Sequence, residues 1–531
     1  FTVGTEGSVS TNAMDFASWT FRKAPKFFDV VTYTGNGGVQ AISHNLGVAP
    51  GFIAVKQTSG SNPWMCYHRS TGATKFLELN STAAAAVNNT AWNDTEPTST
   101  EFTLSYGSYG NTSGQTYVAY LFAHNDGDGG FGPDGDADII KCGSYTGNNG
   151  QPHHVELGFE PQWLLVKNAD LGTGGAWWSV VDVQRGMLAN TSIKVLKANE
   201  SEAEINENGF TPTATGFTVS GNNDFQNNST NTYIYMAIRR GTKVPESATE
   251  VFAVEKTSGT SSPVITTGFP TDLYAFKTTD VAQGAYWSSR LTNKALISSS
   301  TAAETSNFNS FDSNTTVPTS VGSTGYVHYN WKRAPSFFDV VAYSGNSTAG
   351  RTVSHNLGVA PEMLVVKRRD ATSSWETYVE PLGNSGRLFL NLSNAFTTGS
   401  AWNNTSPTDT EFTLGGGSTN DSGGEHIAYL FASLPGISKV GSFTHSNGSN
   451  TTVDCGFTSG ARFVLVKQTD LADNWFVFDT ERGITVSDSP ALFLNNTNGE
   501  SGASYIEPTS SGFIIKNGFW SAGNFIFYAI A

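Results

Sequence analysis

The fold is decided by one stretch, 43–56, which reads Ser-His-Asn-Leu-Gly-Val-Ala-Pro-Gly-Phe-Ile-Ala-Val-Lys. After a Gly/Pro turn it runs through four apolar residues and stops at a lysine. Such a run is too short for a helix, and it predicts a strand that is buried on both faces. The stretch returns almost unchanged at 354–367, and looser versions end at three further positions. The five marker lysines are Lys56, Lys167, Lys277, Lys367 and Lys467.

The spacing of these lysines predicts the architecture. Neighbouring marker lysines lie 90 to 111 residues apart, which is the size of a small domain. The chain is rich in Gly, Ser, Thr and Asn, aromatic residues make up 12% and charged residues only 14%, a balance typical of short strands joined by polar turns. We therefore predict an all-β protein, a tandem array of five β-sandwich (jelly-roll-like) repeats of about 90–110 residues.

Each repeat follows one internal order, in which the marker strand is followed by a strand that begins with tryptophan. These tryptophans are Trp64, Trp177, Trp287, Trp375 and Trp475. Residues 1–26 resemble the last strands of a repeat, so we expect the gene product to extend upstream of an incomplete repeat. The other predicted boundaries are 27–125 for repeat 1, 126–138 for a Gly/Asp linker, 139–240 for repeat 2, 246–334 for repeat 3, 335–434 for repeat 4 and 436–531 for repeat 5.

The repeats are not all equally similar to one another. Repeats 1 and 4 share a Phe-Phe-Asp-Val-Val start, the marker turn and an Ala-Trp-Asn loop, whereas repeats 2 and 5 share an Asp-x-x-Arg-Gly turn. The similarity of repeat 1 to repeat 4 and of repeat 2 to repeat 5 indicates that a block of about 300–310 residues was duplicated. It does not fit five copies of a single repeat.

Charge and cysteine content exclude several classes of function. The net charge is −15 and no Lys/Arg cluster locally reverses it, so the surface would repel a nucleic acid backbone. No apolar run reaches the roughly 18 residues of a membrane span. We therefore predict neither a nucleic acid nor a membrane partner. The three cysteines, Cys66, Cys142 and Cys455, are odd in number and lack metal-ligand spacing, so we expect free thiols.

Several longer phrases resemble one known family. They are the Trp-x-Phe-Arg-Lys-Ala-Pro-Lys-Phe-Phe-Asp-Val-Val run at 19–31, Gly-Ser-Tyr-Thr-Gly-Asn at 143–148, the run at 157–167 and Tyr-Val-Ala-Tyr-Leu-Phe-Ala at 117–123. Over nearly the whole chain they are similar to repeats in virion structural proteins of marine tailed phages, including cyanophages. The resemblance implies a tail fibre, capsid fibre or decoration protein on the virion surface. Its expected partners are other virion proteins and further copies of itself, with a trimer as one expected state.

The residues whose side chains could take part in catalysis are better explained by structural roles. His44 and His355 occupy the marker turn without a matching nucleophile or carboxylate, so we interpret them as turn-capping residues. The marker lysines are expected to snorkel at strand ends or to pair with a carboxylate. The Asp182/Arg185 and Asp479/Arg482 pairs suit turns closed by a charge-assisted hydrogen bond. No glycosidase carboxylate pair, nucleophile elbow or phosphate loop is found, so we predict a non-enzymatic protein.

The linker contains the sharpest candidate for a metal site. Asp134, Asp136 and Asp138 reproduce the first three ligand positions of a calcium loop. Ile139 stands where an EF-hand needs glycine, and Tyr145 stands where it needs glutamate, which excludes an EF-hand. A looser Ca²⁺ site that stiffens the joint and a solvated connector are both left open. No other cofactor is predicted.

Two functional classes are carried forward from the sequence. The first is a structural virion protein without catalytic activity. The second is a lectin-like adhesin that binds host surface glycans, with exposed aromatic rings stacking on sugars. Trp92 and Trp402, in Asn/Thr-rich loops outside the strand pattern, are the candidate glycan-binding residues, and the alternative is that each ring folds back over the end of a sandwich.

Overall fold

The structure is a computed structural model that describes residues 4–12, 14–106, 109–172, 174–189, 192–228 and 230–531. Strands account for 41% and helices for 2%, which confirms the predicted all-β class. The chain divides into two compact units, one formed by 1–129 with 140–143 and the other by 130–139 with 144–531. Within the described ranges, no helix is long and apolar enough to cross a membrane.

The first repeat is preceded by a short helix, α1 (Gly7–Ser10). Its strands are β1 (Phe28–Thr34), β2 (Gln40–Ser43), β3 (Pro50–Gln57), β4 (Met65–His68), β5 (Lys75–Glu78), β6 (Ala86–Val87), β7 (Glu101–Leu104) and β8 (Thr116–Ala123). Repeat 2 contains β9 (Ile140–Thr146), β10 (His153–Glu156), β11 (Pro161–Asn168), β12 (Trp178–Asp182), β13 (Ile193–Lys197), β14 (Ile205–Glu207), β15 (Phe210–Thr213), β16 (Gly216–Val219) and β17 (Thr232–Arg239). Strand β9 begins in the first unit and ends in the second.

Repeat 3 opens with a 3₁₀ turn, Ala248–Glu250. Its strands are β18 (Phe252–Thr257), β19 (Val264–Thr266), β20 (Leu273–Thr278), β21 (Tyr286–Ser289), β22 (Lys294–Ile297), β23 (Thr305–Ser306), β24 (Thr316–Pro318) and β25 (Tyr326–Trp331). Repeat 4 contains β26 (Phe338–Ser344), β27 (Arg351–Ser354), β28 (Met363–Arg368), β29 (Trp375–Val379), a 3₁₀ turn (Glu380–Leu382), β30 (Gly386–Phe389), β31 (Thr397–Thr398), β32 (Glu411–Leu414) and β33 (Glu425–Phe431).

Repeat 5 completes the chain. Its strands are β34 (Ser438–His445), β35 (Thr451–Asp454), β36 (Phe463–Gln468), β37 (Trp475–Asp479), β38 (Leu492–Phe493), β39 (Ile506–Thr509), β40 (Gly512–Ile515) and β41 (Gly523–Ile530). All five repeats thus have the same kind of strand succession, which confirms the predicted tandem array.

Every repeat is a sandwich of two unequal antiparallel sheets. In repeat 4 the large sheet has the order β26-β33-β28-β29-β30-β31, and the small sheet pairs β27 with β32. The closing strand therefore lies between the opening strand and the marker strand, and the same order recurs in the other repeats. The small sheet has three strands in repeats 2 and 5 and two strands in the others, which agrees with the sequence similarity of repeats 2 and 5.

The marker strands form the middle of the large sheets, as predicted. All six residues of β20 and of β36 are buried, and the other three marker strands have one half-buried residue each. Each marker lysine faces a β-branched residue of the closing strand: Lys56 pairs with Val118, Lys167 with Ile234, Lys277 with Val327, Lys367 with Ile427 and Lys467 with Ile526. The lysines therefore occupy equivalent positions, which confirms the repeat register.

Two details of the predicted register are wrong. The tryptophan that pairs with the marker lysine in repeat 2 is Trp178, not Trp177, and a shift of one residue places the side chain on the opposite face of the sheet. In repeat 3 the strand begins at Tyr286, and Trp287 pairs with Ala275 two residues before the marker lysine. The sequence did not reveal either difference, because it was interpreted as one tryptophan at a similar distance after each marker lysine.

Of the expected terminal strands of an upstream repeat, the one predicted within 14–23 is not formed. Residues 1–3 lie outside the described residues, and 14–23 have no strand. The corresponding segment of repeat 3, β25, is hydrogen-bonded on both sides, by β18 and by β20. Residues 14–23 have no such neighbouring strands within the described ranges, and a strand without a ladder is not stable.

Repeats 3, 4 and 5 share a hydrophobic core, in addition to the separate sandwich interiors of repeats 3 and 4. A single buried cluster extends from Phe252 through Trp375 to Ile530 and includes strands of all three sandwiches. Near its centre, the Trp287 ring lies 5.7 Å from that of Trp375 and 5.3 Å from that of Tyr429. Independent repeats joined only by linkers would have no core that extends from one repeat into the next.

Candidate functional site

The two candidate glycan-binding tryptophans are both buried. Trp92 is 0% exposed and Trp402 is 1% exposed. The Trp92 ring packs edge-on against Tyr67, and Trp402 packs in the same way against Tyr378 and donates its indole N–H to the Gly386 carbonyl at 3.0 Å. A fully buried ring has no face available for a sugar, so the sugar-stacking prediction for these residues is wrong. The alternative interpretation, a loop tryptophan that covers the sandwich interior, is confirmed.

The three linker aspartates do not form a built metal centre. Asp134 and Asp136 are exposed and Asp138 is half-buried. In the ranges that the structure describes, no three His, Cys, Asp or Glu side chains converge on one point. A calcium-stiffened joint remains a prediction, which calorimetric titration of the chain and of its Asp136→Asn variant with Ca²⁺ would test.

The marker histidines cap their own turn. In repeat 1, Nδ1 of His44 accepts the backbone N–H of Leu46 at 3.2 Å, and in repeat 4, His355 accepts that of Leu357 at the same distance. Burial lowers the pKa of both histidines, which favours the neutral ring that such an acceptor needs. The predicted turn-capping role is confirmed.

The Asp-x-x-Arg pairs also have the predicted structural role. Arg482 donates its backbone N–H to Oδ1 of Asp479 at 2.9 Å and its Nε–H to Oδ2 at 2.7 Å. The Asp182/Arg185 pair has the same two bonds at the same distances. In repeat 5 the turn has a second function, because the Tyr329 hydroxyl of repeat 3 donates to Oδ2 of Asp479 at 2.7 Å.

Three of the five marker lysines, those of repeats 3, 4 and 5, neither snorkel to the surface nor pair with a carboxylate of the described residues. Lys277, Lys367 and Lys467 are at most 1% exposed, and their ammonium groups donate to backbone carbonyls. Burial lowers the pKa of each of these three lysines to about 8. The predicted environment of these lysines was wrong because their acceptors are backbone carbonyls. Every residue has a carbonyl, so no side-chain pattern identifies the one that accepts.

These lysines join the repeats to one another. Lys367 of repeat 4 donates to the Thr301 carbonyl of repeat 3 at 3.2 Å. Lys467 of repeat 5 donates to the Ser393 carbonyl of repeat 4 at 3.2 Å, and Lys277 of repeat 3 donates to the Asn496 carbonyl of repeat 5 at 3.1 Å. Repeat 4 thus donates a hydrogen bond to repeat 3, repeat 5 donates one to repeat 4, and repeat 3 donates one to repeat 5. The three contacts therefore close a ring.

Backbone bonds repeat the same cycle in the opposite direction. The N–H groups of Glu304, Phe396 and Glu500 donate to the carbonyls of Arg369, Thr469 and Thr279, at 2.7, 2.8 and 2.9 Å. Each acceptor lies two residues after a marker lysine. The indole N–H groups of Trp375 and Trp475 add bonds to the carbonyls of Ser300 and Phe389. Repeats 3, 4 and 5 therefore form a closed ring with approximate threefold symmetry within one chain.

A buried charge network joins repeat 2 to this ring. The guanidinium of Arg333 binds both carboxylate oxygens of Glu160 in repeat 2, at 2.7 and 2.5 Å, and donates Nε–H to Asp339 at 2.6 Å. Burial alone would lower the pKa of Arg333, but the carboxylates of Asp339 and Glu160 raise it well above its ordinary value. Asp272 accepts the Arg333 backbone N–H at 2.7 Å and lies 3.6 Å from Arg290. Sequence reasoning missed this network, although Arg333 and Asp339 belong to the phrase shared with 19–31.

An open groove lies between repeats 2 and 4. Its volume is about 860 Å³, and its walls are formed by β15 and β16 on one side and by β26 and β27 on the other. Hydroxyl side chains are the commonest polar groups along the walls: Thr211, Thr213, Thr215, Thr218, Ser220, Ser344, Thr352 and Ser354. Hydroxyl groups both donate and accept hydrogen bonds, so such a groove suits a hydroxylated ligand.

One hydroxyl of the groove lies beside a histidine and a carboxylate. Oγ1 of Thr215 is 3.3 Å from Nε2 of His154 and donates to Oε2 of Glu156 at 2.9 Å. That carboxylate oxygen is also 3.0 Å from the same Nε2. In a nucleophile–base–carboxylate triad the acid orients the histidine through the other ring nitrogen. The arrangement is therefore a surface hydrogen-bond cluster without the geometry of a triad.

Acid sensitivity is predicted from His328, which lies inside repeat 3. Its ring nitrogens are 2.8 Å from the Tyr274 hydroxyl and 2.8 Å from Oγ1 of Thr257. Burial lowers its pKa to about 4, whereas an unfolded histidine titrates near 6.5. Between these values the unfolded chain binds a proton that the folded chain does not, so stability should fall by up to about 3 kcal/mol as the pH drops from 6.5 to 4.

Denaturation midpoints of the wild type and His328→Gln between pH 4 and 7 will measure this contribution. We expect a shallower dependence on pH in the variant than in the wild type. Equal slopes in the wild type and His328→Gln would contradict the assignment.

The fold and the site define a class of protein: an all-β protein of tandem sandwiches, three of which close into a ring. The chain belongs to the family described as Domain of unknown function (DUF7483), whose model matches residues 4–240 and 249–531. The second match spans repeats 3, 4 and 5, and the first spans repeats 1 and 2 with the segment before them. This double match agrees with a duplicated block. No curated protein matches the chain.

Proposed function

We propose that the chain is a non-enzymatic structural protein of a bacteriophage virion surface, as a fibre, an appendage or a capsid decoration. The observation that carries the proposal is the closed ring of repeats 3, 4 and 5. Its buried lysines, indole N–H groups and arginines are engaged in joining sandwiches to one another. A protein that positions polar groups for this purpose supplies shape and rigidity to an assembly. The similarity to phage virion repeats gives the same expectation.

The ring also explains how one chain would withstand mechanical load. Sandwiches on a flexible string separate one at a time, whereas each sandwich of a ring is held by two neighbours through a common core. The expected partners are neighbouring virion proteins and further copies of the chain, including the predicted trimer. Rigid, polar-surfaced modules with a net charge of −15 suit the exterior of a particle.

The proposal is tested on the particle whose genome encodes the chain. Mass spectrometry of purified particles should detect the chain at a fixed ratio to the major capsid protein, and gold-labelled antibody should mark one external feature. Absence of the chain from purified particles, with abundant chain in the infected cell, would overturn the proposal.

A second candidate function, adhesion to host glycans, is favoured by the groove between repeats 2 and 4. Its hydroxyl-lined walls and its volume of about 860 Å³ would hold a few sugar rings. In this proposal the glycan would bind to β15, β16, β26 and β27, and not to Trp92 and Trp402. It is compatible with a virion position, since an external protein meets the host surface first.

Filling the groove should abolish glycan binding. We expect Thr211→Trp to lower binding on a glycan array at least about tenfold, because the indole would occupy the space between the walls. Thr266→Trp, in the small sheet of repeat 3, is the matched control and should bind like the wild type. Array binding that survives Thr211→Trp, or a wild-type chain that binds no glycan, would remove the groove as a receptor site.

A further inference from the structure

We propose that the groove between repeats 2 and 4 binds a glycan that carries an acidic group, a carboxylate or a sulfate, and that Arg351 binds this group. The inference rests on the second candidate function, adhesion to glycans, and specifies the class of glycan. Three properties of Arg351 support it: its place on the groove wall, the contacts that hold its side chain, and the residue found at the same position in repeat 1.

The groove walls carry positive but no negative side chains. Arg351 lines the groove, and so does His154, which becomes positive when it is protonated. No aspartate or glutamate is among the described residues that line it. The chain as a whole has a net charge of −15, so its surface on average repels an anion. The walls of the groove thus favour an acidic ligand, in contrast to the surface as a whole.

Two carboxylates contact residues of the walls, although neither is itself a lining residue. Oε2 of Glu156 accepts the Thr215 hydroxyl at 2.9 Å, and Oε1 of Glu425 accepts the Ser344 hydroxyl at 3.0 Å. Neither carboxylate pairs with Arg351, which forms no ion pair within the described ranges. The positive charge of Arg351 is therefore not neutralised by a carboxylate of the described chain.

Contacts within repeat 4 hold the guanidinium of Arg351 in place. Its Cζ lies 5.6 Å from the centre of the Tyr343 ring, and the Tyr343 hydroxyl donates to the Thr419 carbonyl at 2.7 Å. Nη1 donates to the Ser344 carbonyl and, at 3.2 Å, to Oδ1 of Asn420. Among the described residues Nε and Nη2 have no hydrogen-bond partner, so both can donate to a ligand. A guanidinium positioned in this way matches two oxygens of a carboxylate or a sulfate.

Repeat 1 shows that the fold does not require a positive charge at this position. In repeat 1, Nε2 of Gln40 donates to the Thr34 carbonyl at 3.1 Å, which is the equivalent of the bond from Arg351 to the Ser344 carbonyl. A neutral amide therefore makes the same local bond, and the charge of Arg351 is available for another role. The residues that begin the second strand of the five repeats are Gln40, His153, Val264, Arg351 and Thr451.

The walls also supply partners for the neutral part of a glycan. Thr352 and Ser354 lie on β27, the strand that Arg351 begins, and Thr211 and Thr213 lie on the facing wall. Sugar hydroxyls would thus meet hydroxyl groups on both sides of the groove, whereas an acidic substituent would meet Arg351.

A glycan array in which each acidic oligosaccharide stands beside its neutral form will test the inference on the full chain. Uronic acid oligosaccharides are paired with their carboxyl-reduced forms, and sulfated galactans with their desulfated forms. We expect the wild type to bind at least one acidic member at least about tenfold more tightly than its neutral form, because hydrogen bonds to a charged group contribute such a factor. The kind of pair that shows the difference identifies the acidic group as a carboxylate or a sulfate.

Arg351→Gln, which introduces the amide that repeat 1 has at this position, should remove the preference for the acidic form. Its circular dichroism and thermal midpoint should match those of the wild type, since the side chain is half-buried and its local bond is retained. Arg69→Gln removes an exposed arginine of repeat 1 and is the control, which should keep the preference.

The outcomes separate the inference from the function on which it rests. Equal binding of acidic and neutral forms that is lost in Thr211→Trp would leave the groove as a glycan site and overturn the role of Arg351. A preference for acidic forms that survives Arg351→Gln would overturn it as well. A wild-type chain that binds no oligosaccharide of either kind would overturn adhesion itself, and the inference with it.

Discussion

Replacement of Arg333 by methionine is expected to lower the free energy of unfolding of the second unit by about 3–5 kcal/mol. The guanidinium is buried and satisfies the carboxylates of Glu160 and Asp339 at the same time. Methionine has a similar length and no charge, so Glu160 would lose its bidentate partner and Asp339 would keep Arg240, at 3.6 Å, as its cation. Hydrogen exchange followed by mass spectrometry at β25 and β26 will separate this loss from unfolding of the first unit.

Repeat 1 offers a matched control for this prediction. Lys23 occupies the position of Arg333 and pairs with Asp29 at 2.6 Å, but its side chain is 58% exposed. Asp29 itself is buried, but it also accepts the backbone N–H groups of Val30 and Asn45, both at 2.8 Å, so Lys23→Met should cost clearly less than Arg333→Met. Equal losses in Arg333→Met and Lys23→Met would show that the network does not hold repeat 2 to the ring.

The second large effect is expected from Trp375→Ala, with a loss of about 3–5 kcal/mol in the stability of the ring. The indole is completely buried, packs against Trp287 of repeat 3 and donates to the Ser300 carbonyl at 3.0 Å. Alanine would leave a cavity at the contact between two sandwiches and an unpaired carbonyl. We therefore expect exchange to increase in β21 of repeat 3 as well as in β29 of repeat 4.

The equivalent tryptophan of repeat 1 is the control. Trp64 has the same position relative to its marker lysine but is half-buried, so Trp64→Ala in the monomer should cost only about 1 kcal/mol. If Trp375→Ala increased exchange in repeat 4 alone, the sandwiches would be independent and the ring would not be a cooperative unit.

The fold was largely predictable because its signals are local. The apolar marker run, the lysine that ends it and the Gly/Pro turn before it recur at one spacing, and each part depends on residues within about ten positions. The equivalent positions of Lys56 and Lys367 in β3 and β28 follow from that pattern. The errors at Trp177 and Trp287 arose where two tryptophans, or a displaced one, made the register ambiguous by a residue or two.

The candidate sites were predicted less well, since each depends on what surrounds a residue. Trp92 and Trp402 were assigned to the surface from their polar neighbours in sequence, yet both rings are covered by strands of their own repeats. The groove was not predicted at all, because its walls come from segments more than 100 residues apart.

The amino-acid sequence by itself determined the all-strand class, the number of repeats and the positions of the five marker lysines, because strand formation and turn chemistry are encoded in neighbouring residues. The tertiary structure alone decided that three repeats close into a ring and that arginines bind repeat 2 to it. The lysines of the ring donate to backbone carbonyls, which every residue has, and the acceptors lie 66 to 219 residues away. No side-chain pattern marks such an acceptor, so only the packing of the sandwiches reveals it.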